Sequence, residues 1–292
     1  MQFWQSSFLC EGDQLIDVAK HCESVGFHGF LLPDHLVHPE KQDSKYLYSP
    51  DHKPPQFRED TLWPDVWTLI GGLAAITKKL HFCPNIYILP LRHPIEVAKS
   101  TGSLGYFTCG RVHLGTGAGW MKEEFDMMGV DFHTRGKRYD ECIEVIRKLQ
   151  TGKYVEHHGQ FFNFPRIIMT PAPPTPVPIL IGGTSEPALK RAARLGDGYV
   201  SPGQTIDDEI ATLKKLDKLR REYGTHGKPF YSLVAIRTEG KPVTPADIRR
   251  LEDAGASGYT VYPFPFTIGP GTTLAQKCAE MDRVAEELIS KV

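Results

Sequence analysis

Short apolar runs, rich in branched and aromatic residues, recur along the whole chain and alternate with longer amphipathic stretches. Runs of this length that are bounded by glycine, proline and polar residues predict β-strands. The predicted strands are Gln2–Leu9, Gly29–Leu32, Leu80–Leu89, Arg111–Gly115, Pro178–Ile181, Gly198–Ser201, Phe230–Arg237 and Gly258–Tyr262.

Apolar residues spaced three and four positions apart predict helices between these strands. The first helical pattern ends at Gly26, and glycine commonly follows the last turn of a helix. Several other patterns open on proline, which suits the first turn of a helix. The predicted helices are Gln14–Val25, Pro64–Thr77, Pro94–Leu104, Thr134–Leu149, Glu186–Leu195, Ile206–Tyr223, Pro245–Ala254 and Leu274–Ile289.

Strand and helix therefore alternate about eight times, which is the pattern of parallel strands joined by crossover helices. Eight such units in 292 residues favour a closed α/β fold, a (β/α)8 TIM barrel, over an open sheet. We expect residues 1–292 to form a single domain. Two insertions exceed ordinary connections, Asp34–Trp63 after the second strand and Thr151–Val177 after the fourth helix. Loops this long in a compact domain are often functional lids.

The composition narrows the class of protein. With 24% charged residues and a net charge of −1, no basic surface predicts binding to nucleic acid or to an anionic membrane. The six cysteines contain no C-x-x-C pair, so we interpret them as reduced thiols in a cytoplasmic protein. Neither a signal peptide nor an apolar run of about 18 residues is evident.

Two predicted strands run into glycine turns that open helices, in RVHLGTGAGWMKEEF and PILIGGTSEPALKRAARLGDGYV. A strand that ends in such a turn exposes backbone N–H groups at a helix start, where a phosphate is readily held. We therefore predict a phosphate-bearing cofactor across the barrel mouth. The predicted cofactor-binding residues at these turns are Gly117, Ala118, Gly119, Gly182, Gly183, Thr184 and Ser185.

Each turn also has a plainer interpretation. Gly115–Trp120 partly resembles a dinucleotide fingerprint, with Asp140 about 20 residues further on as the ribose-binding acid. Asp140 lies in a helical pattern, however, so the dinucleotide hypothesis fails, and a turn that needs glycine for backbone reasons remains. Ser185 is also a natural helix N-cap, a role that is compatible with phosphate binding.

Asp34 and His35 stand at the end of the second predicted strand, in PDHLVHP. Side chains at the carboxyl ends of barrel strands point towards the active-site mouth, so we predict a catalytic role for both, with His35 as a proton donor or base. The competing interpretation is an ordinary loop histidine. A metal site from Asp34, His35 and His38 lacks a fourth ligand, so no metal is predicted. We expect His157 and His158 to be solvated.

These motifs, in this order, resemble the luciferase-like monooxygenase superfamily of flavin- and deazaflavin-dependent barrels. The resemblance is carried by AKHCESVGFHGFLLPDHL, LPLRHPIEVAKSTGSL, GRVHLGTGAGWMKEEFDMMGVDFHTRGKRYDE, PILIGGTS and ALKRAARLGDGYV. It implies a tricyclic ring stacked over a bulge in the third strand. The bulge, often a non-proline cis peptide, maps to Asn85 and Ile86, where the residues alone are equally compatible with an ordinary strand.

The resemblance also implies a chemistry. His35 would assist proton transfer beside the ring, and the phosphate would lie at the two glycine turns. Trp120 replaces the acid that the sugar-phosphate dehydrogenase branch carries in this turn, which argues against a glucose 6-phosphate substrate. Relatives commonly form homodimers, which here would use helices near Pro64–Thr77 and Pro94–Leu104.

Three functional hypotheses follow. The first is an oxidoreductase that uses coenzyme F420 for hydride transfer to or from a small organic substrate at the barrel mouth. The second is an FMN-dependent monooxygenase that a partner reductase supplies with reduced flavin, for which the two insertions would form a lid. The third is a non-catalytic flavin-binding barrel, which the presence of His35 and both glycine turns argues against.

Overall fold

The computed structural model describes residues 1–49, 58–237 and 241–292, and the strands in them form one parallel sheet and one antiparallel hairpin. The strands are β1 (Gln2–Ser6), β2 (Gly29–Leu32), β3 (His81–Pro84), β4 (Tyr87–Ile88), β5 (Leu114–Gly117), β6 (Val155–His158), β7 (Asn163–Ile167), β8 (Ile179–Gly182), β9 (Gly198–Val200), β10 (Tyr231–Val234) and β11 (Gly258–Val261).

Helices follow the strands of the parallel sheet, as predicted. They are α1 (Leu15–Ser24), α2 (Val66–Ile76), α3 (Pro94–Phe107), α4 (Lys122–Met127), α5 (Arg135–Leu149), α6 (Glu186–Leu195), α7 (Ile206–Glu222), α8 (Pro245–Asp253), α9 (Phe264–Thr267) and α10 (Leu274–Glu287). The short helix α4 is the one that the glycine turn in RVHLGTGAGWMKEEF opens, although the sequence pattern gave no bounds for it, and α9 was not predicted. No helix in the described part of the chain is long and apolar enough to cross a membrane.

The parallel sheet closes on itself. Its order is β3-β2-β1-β11-β10-β9-β8-β5-β4, and all its pairs are parallel. The two ends of this order, β3 and β4, are halves of the single strand predicted over Leu80–Leu89, which is interrupted at Asn85 and Ile86. A parallel bridge between Phe82 and Val112 joins the first half to the segment before β5. With β3 and β4 counted as one strand, the parallel sheet of the described residues is an eight-stranded barrel. The (β/α)8 prediction is therefore confirmed.

A layer of apolar side chains fills the interior of the barrel, because the space enclosed by the strands has to be closely packed. Partly buried Ile86 packs against this layer, so the interruption in the third strand contributes to the core. The layer consists of Trp4, Leu31, Cys83, Leu180, Val200 and Leu233.

The second insertion forms the β6–β7 hairpin, which packs on the outside of α5. The Glu141 carboxylate accepts hydrogen bonds from the backbone N–H groups of residues 160–162 and lies 3.2 Å from His157 Nε2. His157 is 4% exposed, so the prediction that it is solvated is wrong, because the hairpin folds this ring against α5. His158, one position on, is exposed.

Three histidines lie at the start of neighbouring strands, at the end of the barrel opposite to the mouth. The rings of His28 and His81 stack 4.3 Å apart, and His81 Nδ1 lies 3.3 Å from His113 Nε2. Burial lowers the pKa of His113 to about 3 and that of His81 to about 4, since the interior penalises the charged form. The packing at this end of the barrel therefore requires these imidazoles to be neutral.

Acidification is expected to destabilise the fold through His113. Its pKa is about 3 in the native state, whereas the unfolded chain takes up this proton near pH 6.5. Between these values the unfolded state holds more protons, so the free energy of unfolding falls as the pH falls, by up to about 1.4 kcal/mol per pH unit for this group. Urea unfolding at about pH 7 and about pH 5 measures this slope.

The variant His113→Gln removes the titrating group, so its free energy of unfolding should change less steeply over the same range. Exposed His158 is the matched control, and His158→Gln should keep the wild-type slope. A His113→Gln variant with the wild-type slope would contradict the assignment.

Candidate functional site

An apolar platform forms where the third strand is interrupted. The Asn85–Ile86 peptide bond is cis, as the resemblance implies, and the Asn85 N–H donates to the Leu32 carbonyl at 2.7 Å. The Ile86 side chain lies over two strand-end glycines. A Cβ on Gly117 would overlap Ile86 Cδ1, and a Cβ on Gly182 would lie 3.0 Å from Ile86 Cγ2. Both positions are glycine because Ile86 occupies the space that their side chains would take.

The turn after β8 fits a phosphate. Gly183 has a φ of +110°, a conformation that favours glycine. Ser185 precedes α6, and no capping hydrogen bond from its side chain occurs among the described residues. Pro187 has no N–H, so the Glu186 and Ala188 amide groups are those in the first turn of α6 that could hold an anion, and phosphate binding at Gly182, Gly183, Thr184 and Ser185 stays a prediction. The Tyr48 hydroxyl lies 3.3 Å from the place that a Cβ on Gly183 would occupy, which adds a second donor above the turn.

The turn after β5 is tight for packing reasons. Gly119 has a φ of +80°, and a Cβ there would lie 2.7 Å from Ile88 and 2.8 Å from Phe125. The dinucleotide hypothesis for this turn is excluded, because Asp140 lies within α5 and its carboxylate is paired with Arg191 and Arg194. Whether Gly117, Ala118 and Gly119 contact a cofactor stays a prediction.

His35 is paired with a buried carboxylate that sequence analysis did not single out. Its Nδ1 lies 3.1 Å from Glu124 Oε2, and the Leu36 N–H donates to Glu124 Oε1 at 2.6 Å. Glu124 belongs to α4 and is 1% exposed. Because an ionised carboxylate only accepts, this pairing favours the tautomer of His35 that carries its proton on Nδ1.

Neighbouring Glu123 explains why the sequence could not identify Glu124. The two acids are adjacent in KEEF, and only the direction in which each side chain leaves α4 separates their roles. The Glu123 carboxylate accepts hydrogen bonds from the backbone N–H groups of Asp43 at 2.7 Å and Ser44 at 2.9 Å. Glu123 therefore fixes the first insertion, while Glu124 fixes His35.

Asp34 lies behind His35 in a different environment. One carboxylate oxygen accepts the Ile88 N–H at 3.0 Å, and the other lies 2.7 Å from an Arg92 guanidinium nitrogen. Burial raises the pKa of the Asp34 carboxyl, an effect that Arg92 and the Ile88 amide oppose. Asp34 thus ties the end of β2 to β4, directly after the platform. Its catalytic role stays a prediction, and the contacts favour a positioning role.

The first insertion is attached at the mouth of the barrel. Residues 33–49 and 58–65 form turns and contain no helix or strand, and residues 50–57 of the predicted insertion lie outside the described residues. In the part of the chain that the structure describes, no group of three or more His, Cys, Asp or Glu side chains has the geometry of a metal site.

Comparison with known proteins gives the family. The luciferase-like monooxygenase profile matches residues 10–238, and the chain belongs to this family. The uncharacterized protein Rv0940c of Mycobacterium tuberculosis is 38% identical over 294 residues that cover the whole of both chains. The F420-dependent glucose-6-phosphate dehydrogenase of Nakamurella multipartita is 25% identical over 271 residues, 82% of this chain and 75% of that protein.

Solved structures share the fold. The monooxygenase RslO1 from Streptomyces bottropensis superposes with a TM-score of 0.78 at 18% identity over 99% of each chain. An F420-dependent secondary alcohol dehydrogenase in complex with an F420-acetone adduct has a TM-score of 0.77 at 17% identity, over 100% of this chain and 99% of that chain. This chain is therefore a luciferase-like barrel, of the family whose members include oxidoreductases and monooxygenases.

The variant Asp34→Asn should destabilise the protein. Its amide keeps the size of the side chain but replaces one acceptor oxygen by an NH2 donor, so either the Ile88 N–H or buried Arg92 loses its acceptor, which costs about 2 kcal/mol of unfolding free energy. Urea unfolding measures the loss. Exposed Asp126 pairs with Lys122, so the control Asp126→Asn should cost less than about 1 kcal/mol. An Asp34→Asn variant of unchanged stability that has lost turnover would assign Asp34 to catalysis.

Proposed function

We propose that this protein is an oxidoreductase that uses coenzyme F420 to reduce or oxidise a small organic substrate at the barrel mouth. The observation that carries the proposal is the His35–Glu124 pair at the end of β2, next to the strand whose interruption forms the Ile86 platform. A proton-exchanging group beside an apolar support for a flat ring is the arrangement that such a reaction needs.

The residues present fit a phosphate-bearing planar cofactor. Ile86 supplies an apolar surface for a flat ring. Its side chain can lie across the strand ends because Gly117 and Gly182 carry no side chains there. Gly183 and the amide groups that begin α6 would hold the anionic tail. When bound, the deazaflavin supplies the carbon that gives or accepts a hydride, and the protein supplies position and proton transfer.

His35 exchanges the proton that accompanies the redox step through Nε2. Glu124 keeps the other nitrogen, Nδ1, protonated and stabilises the imidazolium when Nε2 gains a proton. Glu124 is buried while His35 remains partly exposed at the mouth, so the carboxylate acts through the imidazole. Glu124 is therefore a positioning residue in this proposal.

An FMN-dependent monooxygenase is the second candidate. It is supported by the first insertion, whose attachment at the mouth would help to exclude water, and by the shared fold of the monooxygenase RslO1. The β6–β7 hairpin packs against α5 on the outside of the barrel, so it gives no support to a lid. We favour F420 because a relative with a stated activity, the F420-dependent glucose-6-phosphate dehydrogenase, matches 82% of the chain. A partner reductase and a homodimer remain predictions.

Titration of the purified protein with F420 and with FMN tests the choice of cofactor. We expect F420 to bind with a dissociation constant in the micromolar range, about −8 kcal/mol, and FMN to bind more weakly. Cofactor fluorescence reports both. Micromolar binding of FMN without binding of F420 would overturn the F420 proposal in favour of the second candidate.

Variants of the pair test the proton transfer. His35→Ala should lower kcat by about 100-fold or more while F420 affinity stays the same, because the proton-exchanging group is lost. Glu124→Gln should lower kcat by about tenfold or more and shift the pH profile, because an amide also donates and no longer selects the Nδ1 tautomer. Glu124→Asp should recover part of the loss. A His35→Ala variant with wild-type turnover would remove the catalytic role.

A further inference from the structure

Aromatic rings surround His35 at the mouth. Trp63 lies 4.7 Å from the imidazole at an interplanar angle of 72°, and Trp120 lies 5.9 Å away at 80°. Phe8 lies 5.7 Å from Trp63, and Tyr46 lies 5.2 Å from Trp120. We call Phe8, Tyr46, Trp63 and Trp120 the aromatic wall.

The aromatic wall lies at the mouth because its residues either follow the carboxyl ends of strands or belong to the first insertion. Phe8 follows β1, and Trp120 follows β5, both at the carboxyl ends of strands, the side where barrels bind ligands. Tyr46 and Trp63 come from the first insertion. All four side chains are partly exposed, so their rings keep surface that a ligand can cover.

The first insertion is held in place against α4. Besides the two bonds from Glu123, the Lys122 N–H donates to the Ser44 hydroxyl at 2.8 Å. Tyr46 follows Ser44 by two residues, and Trp120 precedes Lys122 by two. The edge-to-face contact of Tyr46 with Trp120 is therefore anchored by hydrogen bonds beside it, so this pair of the wall is preorganised.

The wall is uncharged. Burial raises the pKa of the Tyr46 phenol to about 12, so it stays neutral at physiological pH, and indole and phenyl rings do not ionise. Flat rings are attracted to such surfaces through stacking and edge-to-face contacts, whereas a phosphate dianion is recognised by cations and N–H donors.

We propose that the substrate is a flat, uncharged ring compound whose reactive group faces His35 while its ring contacts the aromatic wall. The proposal deepens the proposed function and rests on it for the reaction, although the binding of such a ring to the wall can be measured separately. It excludes sugar phosphates as the preferred class.

Calorimetric titration of the protein, with and without F420, tests this class. The probes are acetophenone, the saturated ketone cyclohexyl methyl ketone, and glucose 6-phosphate. We expect acetophenone to bind about tenfold or more tightly than glucose 6-phosphate, and more tightly than its saturated analogue, because only the aromatic ring can stack. Glucose 6-phosphate binding as tightly as acetophenone would overturn the proposal.

Variants locate the binding. Trp120→Ala and Trp63→Ala should each weaken acetophenone binding by about two- to tenfold, and Trp120→Phe, which restores a ring, should recover most of the loss. Tyr154→Ala is the matched control, since Tyr154 is exposed beside the outer hairpin and its loss should change nothing. Circular dichroism confirms that each variant is folded. Equal affinities for wild type and Trp120→Ala would overturn the proposal.

The outcomes separate the two proposals. Protein that binds acetophenone at the wall but does not bind F420 would leave the substrate class standing and remove the proposed cofactor. Protein that binds F420 but shows no preference for acetophenone would retain the cofactor and remove the substrate class.

Discussion

The position of the Ile86 side chain is the constraint on which the rest of the site depends. The interrupted third strand sends this side chain over the ends of two neighbouring strands, where Gly117 and Gly182 leave room for it. Core packing tolerates no overlap of this kind, so the two glycines and the isoleucine form one unit. This end of the barrel thereby presents an apolar surface, on which the proposed cofactor would lie.

Two buried carboxylates connect this unit to His35, the residue proposed to exchange the proton. Asp34 binds the backbone of Ile88 just after the platform and pairs with Arg92, while Glu124 orients His35. The adjacent residues Asp34 and His35 are thus held by different parts of the molecule. Their geometry relative to the platform follows from buried hydrogen bonds, whose loss is costly in a low-dielectric interior.

The two ends of the barrel contain different kinds of side chain. One end is filled by the neutral imidazoles of His28, His81 and His113 around Trp4. The other combines the Ile86 platform, the aromatic wall and a glycine turn that leads into a helix start. The proposed cofactor and substrate sites therefore lie at the carboxyl ends of the strands, the end at which barrels generally bind their ligands.

The eight-fold alternation of strands and helices, and with it the barrel, could be predicted from the order of residues along the chain. Period-two and period-3.6 patterns are local, so they predicted the alternation of strands and helices, and the end of the second strand gave the position of His35. The bulge at Asn85 and Ile86 was implied only by the resemblance to the family. The sequence could not separate Glu124 from Glu123, reveal the Arg92 partner of Asp34, or show that His157 is buried. Those contacts join residues far apart in the chain, and only tertiary packing decides which side chains meet.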